Sequence, residues 1–298
     1  MYDLAIIGGG PAGLSAAIYA VRYKVKAVTF SSEWGGYMNY AHKVENWPSE
    51  NAISGIDLGK KFLDHAKYLK AELVSENVKA VINKKDFFVV NTQKGEYEAK
   101  RLIITSGTER TKLNIPGESD FLGKGVSYCA TCDGFFFKDK KVAIIGSGDS
   151  ACTSAVYLAD IAEKVYLMYR SSNLKAEPLW IDKVKKNPKI ELLATTQPTK
   201  IIGDTVVRKI ECDGKKEIEV DGVFIEVGST PSEVLIKALG INTDEKGYII
   251  VDSTQKTNIE GIWAAGDITT NSAKFKQIVT AASEGAVAVY SAYVDMKS

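Results

Sequence analysis

The feature that most constrains this chain is a device it contains twice. Leu4-Ala5-Ile6-Ile7 runs into Gly8-Gly9-Gly10-Pro11-Ala12-Gly13 and then an Ala-rich stretch. Lys141-Val142-Ala143-Ile144-Ile145 likewise runs into Gly146-Ser147-Gly148-Asp149-Ser150-Ala151 and a second Ala-containing stretch. Each reads as a short apolar strand, a glycine turn and a helix, the pattern that seats a dinucleotide pyrophosphate at a helix N-terminus. The small residues have separate tasks: a tight turn, an approach of backbone to phosphate, and close packing of helix on strand. Gly8, Gly10, Pro11, Ala12 and Gly13 are therefore the candidate cofactor residues of the first copy. Gly146, Gly148, Asp149, Ser150 and Ala151 are the candidate nucleotide residues of the second. The copies begin 138 residues apart, enough for one domain each. The expected fold class is α/β, with two Rossmann-like, three-layer ββα dinucleotide-binding domains.

Two carboxylates extend the pattern. Glu33 follows the apolar run Val25–Phe30 and lies 20 residues past Gly13, the spacing of an acid that meets a ribose hydroxyl; a solvated loop carboxylate fits equally well. Near the C-terminus, Gly261-Ile262-Trp263-Ala264-Ala265 ends in Gly266-Asp267, and the segment 276–286 follows with small residues suited to a closely approaching helix. A carboxylate at a strand end can accept hydrogen bonds from a ligand's sugar hydroxyls. A turn followed by a packing helix is the plainer alternative.

Cysteine usage is local. Four cysteines in 298 residues cannot form the framework of a small secreted fold, and two of them, Cys129 and Cys132, form a C-x-x-C. Such a pair at a helix start can close a small disulfide, the first thiol being typically exposed and activated by the helix end. Half of a zinc site is the rival. It lacks its other half, because Cys152 and Cys212 are isolated and His42 and His65 are the only histidines, so no metal is expected. Asp133 directly follows the pair and is a candidate general acid/base for disulfide exchange. A formal net charge of +1 gives no global case for nucleic acid or an anionic membrane. No apolar run approaches the ~18 residues of a membrane span, and no leader precedes the first strand, so a cytoplasmic protein is expected.

The ordered set Gly8-x-Gly10-x-x-Gly13, Gly35-Gly36, Val44-Glu45-Asn46-Trp47-Pro48, Cys129-Ala130-Thr131-Cys132-Asp133-Gly134, Gly146-x-Gly148-x-x-Ala151 and Ala265-Gly266-Asp267 closely resembles the low-molecular-weight thioredoxin reductases. The resemblance covers nearly the whole chain. It implies an FAD domain formed from residues 1–112 and 243–298, with a redox-disulfide and NAD(P)H-like domain, 113–242, inserted into it. The two crossings, near Gly107–Pro116 and Gly240–Gly247, would be hinges. It further implies a homodimer and a thioredoxin or similar protein disulfide as substrate. By the same resemblance Cys132 faces the flavin, Cys129 attacks the substrate and Asp133 supplies the proton. Gly36, Asn46, Gly266, Asp267, Lys276 and Gln277 join the FAD-binding set, Lys276 standing where the family usually has Arg.

One region departs from the family. NADPH-dependent members carry a His-Arg-Arg cluster and a further Arg after the second strand of the inserted domain. This chain reads Tyr169-Arg170-Ser171-Ser172-Asn173-Leu174-Lys175. Only Arg170 and Lys175 remain as a residual clamp, and Thr153-Ser154 replaces an adjoining Glu-Glu pair. Each missing charge-assisted contact is worth about 1.5–3 kcal/mol, or one to two decades of affinity. The erosion resembles the ferredoxin-dependent flavin thioredoxin reductases. Reduced ferredoxin is therefore the expected donor, docking on lysines such as Lys24, Lys26, Lys43 and Lys274. The alternatives are an NAD(P)H-dependent enzyme with a relaxed nucleotide site and a flavin module that senses redox state without turnover.

Overall fold

The computed structural model describes residues 1–214, 216–231, 233–272 and 275–297, the side chains of Glu233 and Val234 excepted. Lys274 lies outside the described residues. The chain divides into two units, Met1–Asn39 with Val44–Glu109 and Thr230–Ser298, and Tyr40–Lys43 with Arg110–Ser229.

The first unit is built on a five-stranded parallel sheet in the spatial order Ile262–Ala264, Leu102–Ile104, Leu4–Ile7, Ala27–Phe30, Glu72–Val74. All four residues of Leu4–Ile7 are buried, the mark of a parallel strand covered on both faces rather than an alternating one. One face carries Leu4, Ile6, Ile103 and Trp263 against the alanines of the helices Pro11–Arg22 and Ile278–Asp295. The helices need small residues here: a Cβ on Gly285 would lie 2.1 Å from the Ala12 carbonyl oxygen. The other face packs Ile7, Val28, Phe30 and Ile104 against Val81, Phe88 and Val90 of a three-stranded antiparallel sheet, Ala80–Asn83, Phe88–Asn91 and Glu96–Ala99. Each fully buried Leu or Ile contributes about 1.5–3 kcal/mol.

The second unit repeats this plan. Its parallel sheet runs Ile190–Ala194, Lys164–Tyr169, Lys141–Ile145, Gly222–Ile225, Val126–Ser127. The helices Asp149–Ala159 and Pro178–Lys186 cover Val142, Ile144, Val165 and Leu167. The other face holds Ala143, Ile145, Val223 and Ile225 against Ile201, Val207 and Ile210 of the antiparallel strands Pro198–Gly203 and Val207–Cys212. Both units thus have the expected ββα layers, and in both the central strand leads into the glycine turn.

The boundaries differ from the expected 112/113 and 242/243. The chain passes between units at 109/110 and 229/230. The strands Thr108–Arg110 and Ser229–Pro231 pair there, with the Thr111 N–H donating to the Gly228 carbonyl at 3.0 Å. Residues 230–242 belong to the first unit because Ile236, Leu239 and Ile241 are buried in its core. The Gly240–Gly247 segment is therefore no crossing. The glycine beside the second crossing is Gly228, at φ +107°.

Candidate functional site

The first glycine turn is locked from behind. Gly8 has φ +122°, and a Cβ on it would lie 2.2 Å from the Thr105 carbonyl oxygen, so only glycine fits. The buried Thr105 hydroxyl contacts the carbonyls of Ile7 and Gly8 at 3.0 and 3.1 Å. Gly13 packs onto Gly8, and Pro11 opens the helix, where its missing N–H costs nothing. Gly10 is the N-cap, supplies no side-chain cap, and a Cβ there would meet nothing within 4 Å. The helix N-terminus therefore has no side-chain cap, and its first-turn N–H groups have no intrahelical acceptor. Gly35 N–H donates to the Gly9 carbonyl at 2.8 Å, and a Cβ on Gly36 would sit 3.1 Å from Gly10 Cα, so the Gly35-Gly36 turn joins the set. Ala12 is buried in the helix contact. Glu33 is exposed, three residues past the end of Ala27–Phe30.

The C-terminal strand brings Gly266 and Asp267 to the same unit. Gly266 N–H donates to Glu284 at 2.7 Å, and the buried Glu284 also accepts from Thr269 and Ser272. That network fixes the turn. The Asp267 carboxylate is largely buried, and among the described residues it receives no hydrogen bond. Burial raises its carboxyl above the ordinary range, the Lys276 charge opposing and the Glu284 charge reinforcing. Lys276 Nζ donates to the carbonyls of Asp267 and Thr269, both at 2.6 Å, and lies over the Tyr248 ring. Asn46 Nδ2 donates to Gln277 Oε1 at 3.0 Å across 231 residues of chain.

In the second unit Cys129 and Cys132 form a disulfide with Cα atoms 5.3 Å apart. Cys129 caps the short helix Ala130–Asp133, its Sγ accepting from the Cys132 N–H at 3.1 Å. The exposure is reversed from expectation: Cys132 is exposed and Cys129 half-buried. The cap role and an N–H bond from Cys129 to Ser127 Oγ at 2.9 Å draw Cys129 inward. Ser127 Oγ also donates to Asp133 Oδ2 at 2.6 Å. Immediately after, Phe135 and Phe136 are 74% and 70% exposed, while Phe137 is buried against Phe224. The other two cysteines are buried free thiols, Cys152 pushed up to about 12 and Cys212 to about 11, chiefly by burial. Burial disfavours their thiolate forms.

The second glycine turn copies the first in backbone. Gly146 has φ +151°, with a built Cβ 2.2 Å from the Glu226 carbonyl oxygen, Gly148 caps the helix without a side-chain bond, and Ala151 is buried. Asp149 accepts from the Glu177 N–H at 2.7 Å, and Ser150 is exposed. The surroundings differ. Arg170 and Lys175 are both exposed, and the Ser171 hydroxyl donates to the Asn173 carbonyl at 2.7 Å. Beside the turn, the buried Glu226 carboxylate accepts from Ser154 at 3.2 Å and pairs with Arg110 at 3.4 Å. Burial raises the Glu226 carboxyl, with Arg110 and Ser154 opposing.

Four residues in these sites escape sequence reading: Thr105, Ser127, Glu226 and Glu284. Only Ser127, two residues before the C-x-x-C, lay close enough in the chain to suggest itself.

The Pyridine nucleotide-disulphide oxidoreductase family matches residues 2–285. A thioredoxin reductase of Listeria innocua is 40% identical over 295 residues, covering 97% of this chain and 92% of the relative. Among solved structures, the thioredoxin reductase of Lactococcus lactis superposes with a TM-score of 0.95 at 36% identity, over 99% of this chain and 98% of that one. A ferredoxin-flavin thioredoxin reductase of Clostridium acetobutylicum superposes with a TM-score of 0.54 at 33% identity, over 99% and 98%. Among the described residues no helix is long and apolar enough to cross a membrane.

Proposed function

This chain belongs to the pyridine nucleotide-disulphide oxidoreductase family and is a flavoprotein disulfide oxidoreductase of the thioredoxin reductase type; from that premise we propose that it reduces thioredoxin with electrons delivered by reduced ferredoxin instead of NADPH. The observation that carries the donor assignment is the end of the strand Lys164–Tyr169. Where a 2′-phosphate clamp needs a cluster of cations, Ser171 stands with its hydroxyl engaged by Asn173, leaving Arg170 and Lys175. Thermodynamics permits the exchange: a ferredoxin near about −400 mV and a thioredoxin near about −270 mV differ by roughly 6 kcal/mol for two electrons.

The first unit suits FAD. Gly8, Gly10, Pro11, Ala12, Gly13 and Gly36 would hold its pyrophosphate at the uncapped helix N-terminus, and the Asp267 carboxylate, which accepts no hydrogen bond among the described residues, would accept from its sugar-like hydroxyls. Gly266, Asn46, Lys276 and Gln277 complete that set, and Glu33 would reach a ribose hydroxyl. Held by these residues, a flavin would supply the chemistry that links a donor of single electrons to a disulfide that takes two. The protein's own part is thiol chemistry. Cys132 is the thiol that takes up the electrons, Cys129 the one that attacks the substrate disulfide, and Asp133 moves the proton. The exposed Phe135 and Phe136, three and four residues past Cys132, supply apolar area for a protein substrate. Cys132→Ser leaves Cys129 able to form a mixed disulfide with thioredoxin, isolable on a non-reducing gel; failure to trap any adduct would overturn these roles.

A second copy of the chain fits the exposed Val287, Tyr290 and Val294 on Ile278–Asp295, a stripe suited to a dimer contact. The buried free thiols Cys152 and Cys212 are consistent with a reducing cytoplasm. An anaerobic titration tests the donor. Flavin absorbance should bleach with reduced ferredoxin and stay unchanged with micromolar NADPH or NADH; stoichiometric bleaching by micromolar NADPH would refute the assignment. Sustained turnover of thioredoxin with ferredoxin would exclude a passive redox sensor.

A further inference from the structure

We propose that Ser127 is a positioning residue for disulfide exchange, holding the Asp133 carboxylate in register with Cys129; the inference rests on the dithiol reading above. Ser127 is only 4% exposed, and its strand Val126–Ser127 pairs in parallel with Gly222–Ile225, Ser127 opposite Phe224. The sheet therefore fixes its place before any side chain is considered. Its oxygen accepts from the Cys129 N–H at 2.9 Å and lies 2.6 Å from Asp133 Oδ2 and 3.3 Å from the Cys129 carbonyl. A hydroxyl has one proton to give, and the short contact to a charged acceptor takes it. One side chain thus bonds both the backbone of the attacking cysteine and the acid beside it. The second carboxylate oxygen, Oδ1, receives no hydrogen bond among the described residues, and stays available to a sulfur.

The step this serves is balanced as follows. Asp133 accepts the Cys129 proton, the Cys129 thiolate attacks one sulfur of the partner disulfide, the partner S–S bond breaks and a mixed disulfide forms. The departing sulfur takes the proton from Asp133. Cys132 then loses its proton to Asp133 and attacks the Cys129 sulfur, re-forming the Cys129–Cys132 disulfide and releasing the second partner thiol, which takes that proton. Two electrons pass from the dithiol to the partner. Proton delivery matters most when the departing sulfur is basic, because a thiol of low pKa leaves readily without help.

That dependence supplies the test. The flavin-containing enzyme is reduced with dithiothreitol, freed of it, and mixed with either an alkyl disulfide, hydroxyethyl disulfide, or an aromatic one, dithiobis-nitrobenzoate, whose departing thiolate is stable unprotonated. Ser127→Ala should slow exchange with the alkyl disulfide about tenfold, a loss of orientation within the larger factor of general acid catalysis, and change the aromatic reaction less than about twofold. Asp133→Asn should show the same selectivity more strongly, and Ser127→Ala added to it should cost nothing further. Ser127→Thr should restore most of the rate. Equal slowing with both probes, or a double variant whose losses sum, would overturn the positioning role. A wild-type dithiol inert toward both disulfides would overturn the exchange reading and this inference with it.

Discussion

The two glycine turns share a backbone and part company in what surrounds it. In each, a glycine at positive φ lies under a neighbouring carbonyl, Thr105 for Gly8 and Glu226 for Gly146, and a second glycine caps the helix without a side chain. Around the first are a second glycine turn at Gly35-Gly36, a largely buried Asp267 carboxylate that feels the Lys276 charge but accepts no hydrogen bond among the described residues, and the Asn46–Gln277 bond. Around the second, the buried acid Glu226 is already engaged by Ser154 and Arg110, and two exposed cations remain of a clamp. A glycine turn supplies N–H groups to any phosphate, so it identifies a class of ligand; the neighbouring side chains decide whether one is held.

The sharpest way to break this comparison is a matched pair. Gly10 at φ −75° and Gly148 at φ −90° both have backbones that alanine adopts freely, and neither Cβ meets protein. Gly10→Ala should fold normally and purify with its yellow colour largely lost, flavin affinity falling about tenfold to a hundredfold as the methyl enters the phosphate's approach. Gly148→Ala should keep flavin and ferredoxin-driven turnover within about twofold of the parent, a change inside ordinary surface-mutation scatter. Loss of ferredoxin-driven turnover in Gly148→Ala with the flavin retained would show that the second turn takes part in the reaction after all.

The opposite manipulation asks whether the second site can be rebuilt. Ser171→Arg replaces an internally bonded hydroxyl with a planar fork next to Arg170, and one added charge-assisted contact to a 2′-phosphate is worth about one decade or two. NADPH affinity, read by fluorescence quenching or by flavin bleaching, should tighten by about tenfold or more while NADH affinity stays put. Equal gains for both nucleotides would place the missing interaction away from the 2′-phosphate.

How much of this was open to sequence reading follows from range. The glycine turns, the cysteine pair and Asp133 are contiguous motifs whose geometry is set within about ten residues, and their elements form where the apolar runs predict. Asn46 and Gln277 were placed together only through the family resemblance, since nothing local couples residues 231 apart. Thr105, Glu226 and Glu284 became functional candidates only when tertiary closure put them behind a turn. The second boundary was missed for a related reason. Glycines at 240 and 247 resemble a linker, yet the helix Glu233–Ala238 ahead of them sends Ile236 into the first unit's core, and burial outweighs turn composition. The cysteine exposures were misjudged because a helix cap can turn a thiol inward as readily as activate it.

The smallest expected effect separates two largely buried acids. Asp267 and Glu226 both have carboxyls raised above the ordinary range, chiefly by burial. Folded protein therefore holds protons that the unfolded chain has released, and the stability of flavin-free protein should fall as pH rises from the ordinary carboxylate range through those raised values, then level off. Asp267→Asn removes a charge whose burial outweighs the pull of Lys276 and which accepts no hydrogen bond among the described residues, so it should flatten part of that fall and raise the urea midpoint at neutral pH. Glu226→Gln should flatten another part but forfeit its charge-assisted contacts with Ser154 and Arg110, of order 1.5–3 kcal/mol before solvent screening of the half-buried arginine, and show no net gain. A destabilised Asp267→Asn at neutral pH would mean that the attraction of Lys276 outweighs the cost of burying the Asp267 charge, and the contrast between an acid without a hydrogen bond and an acid already hydrogen-bonded would fail.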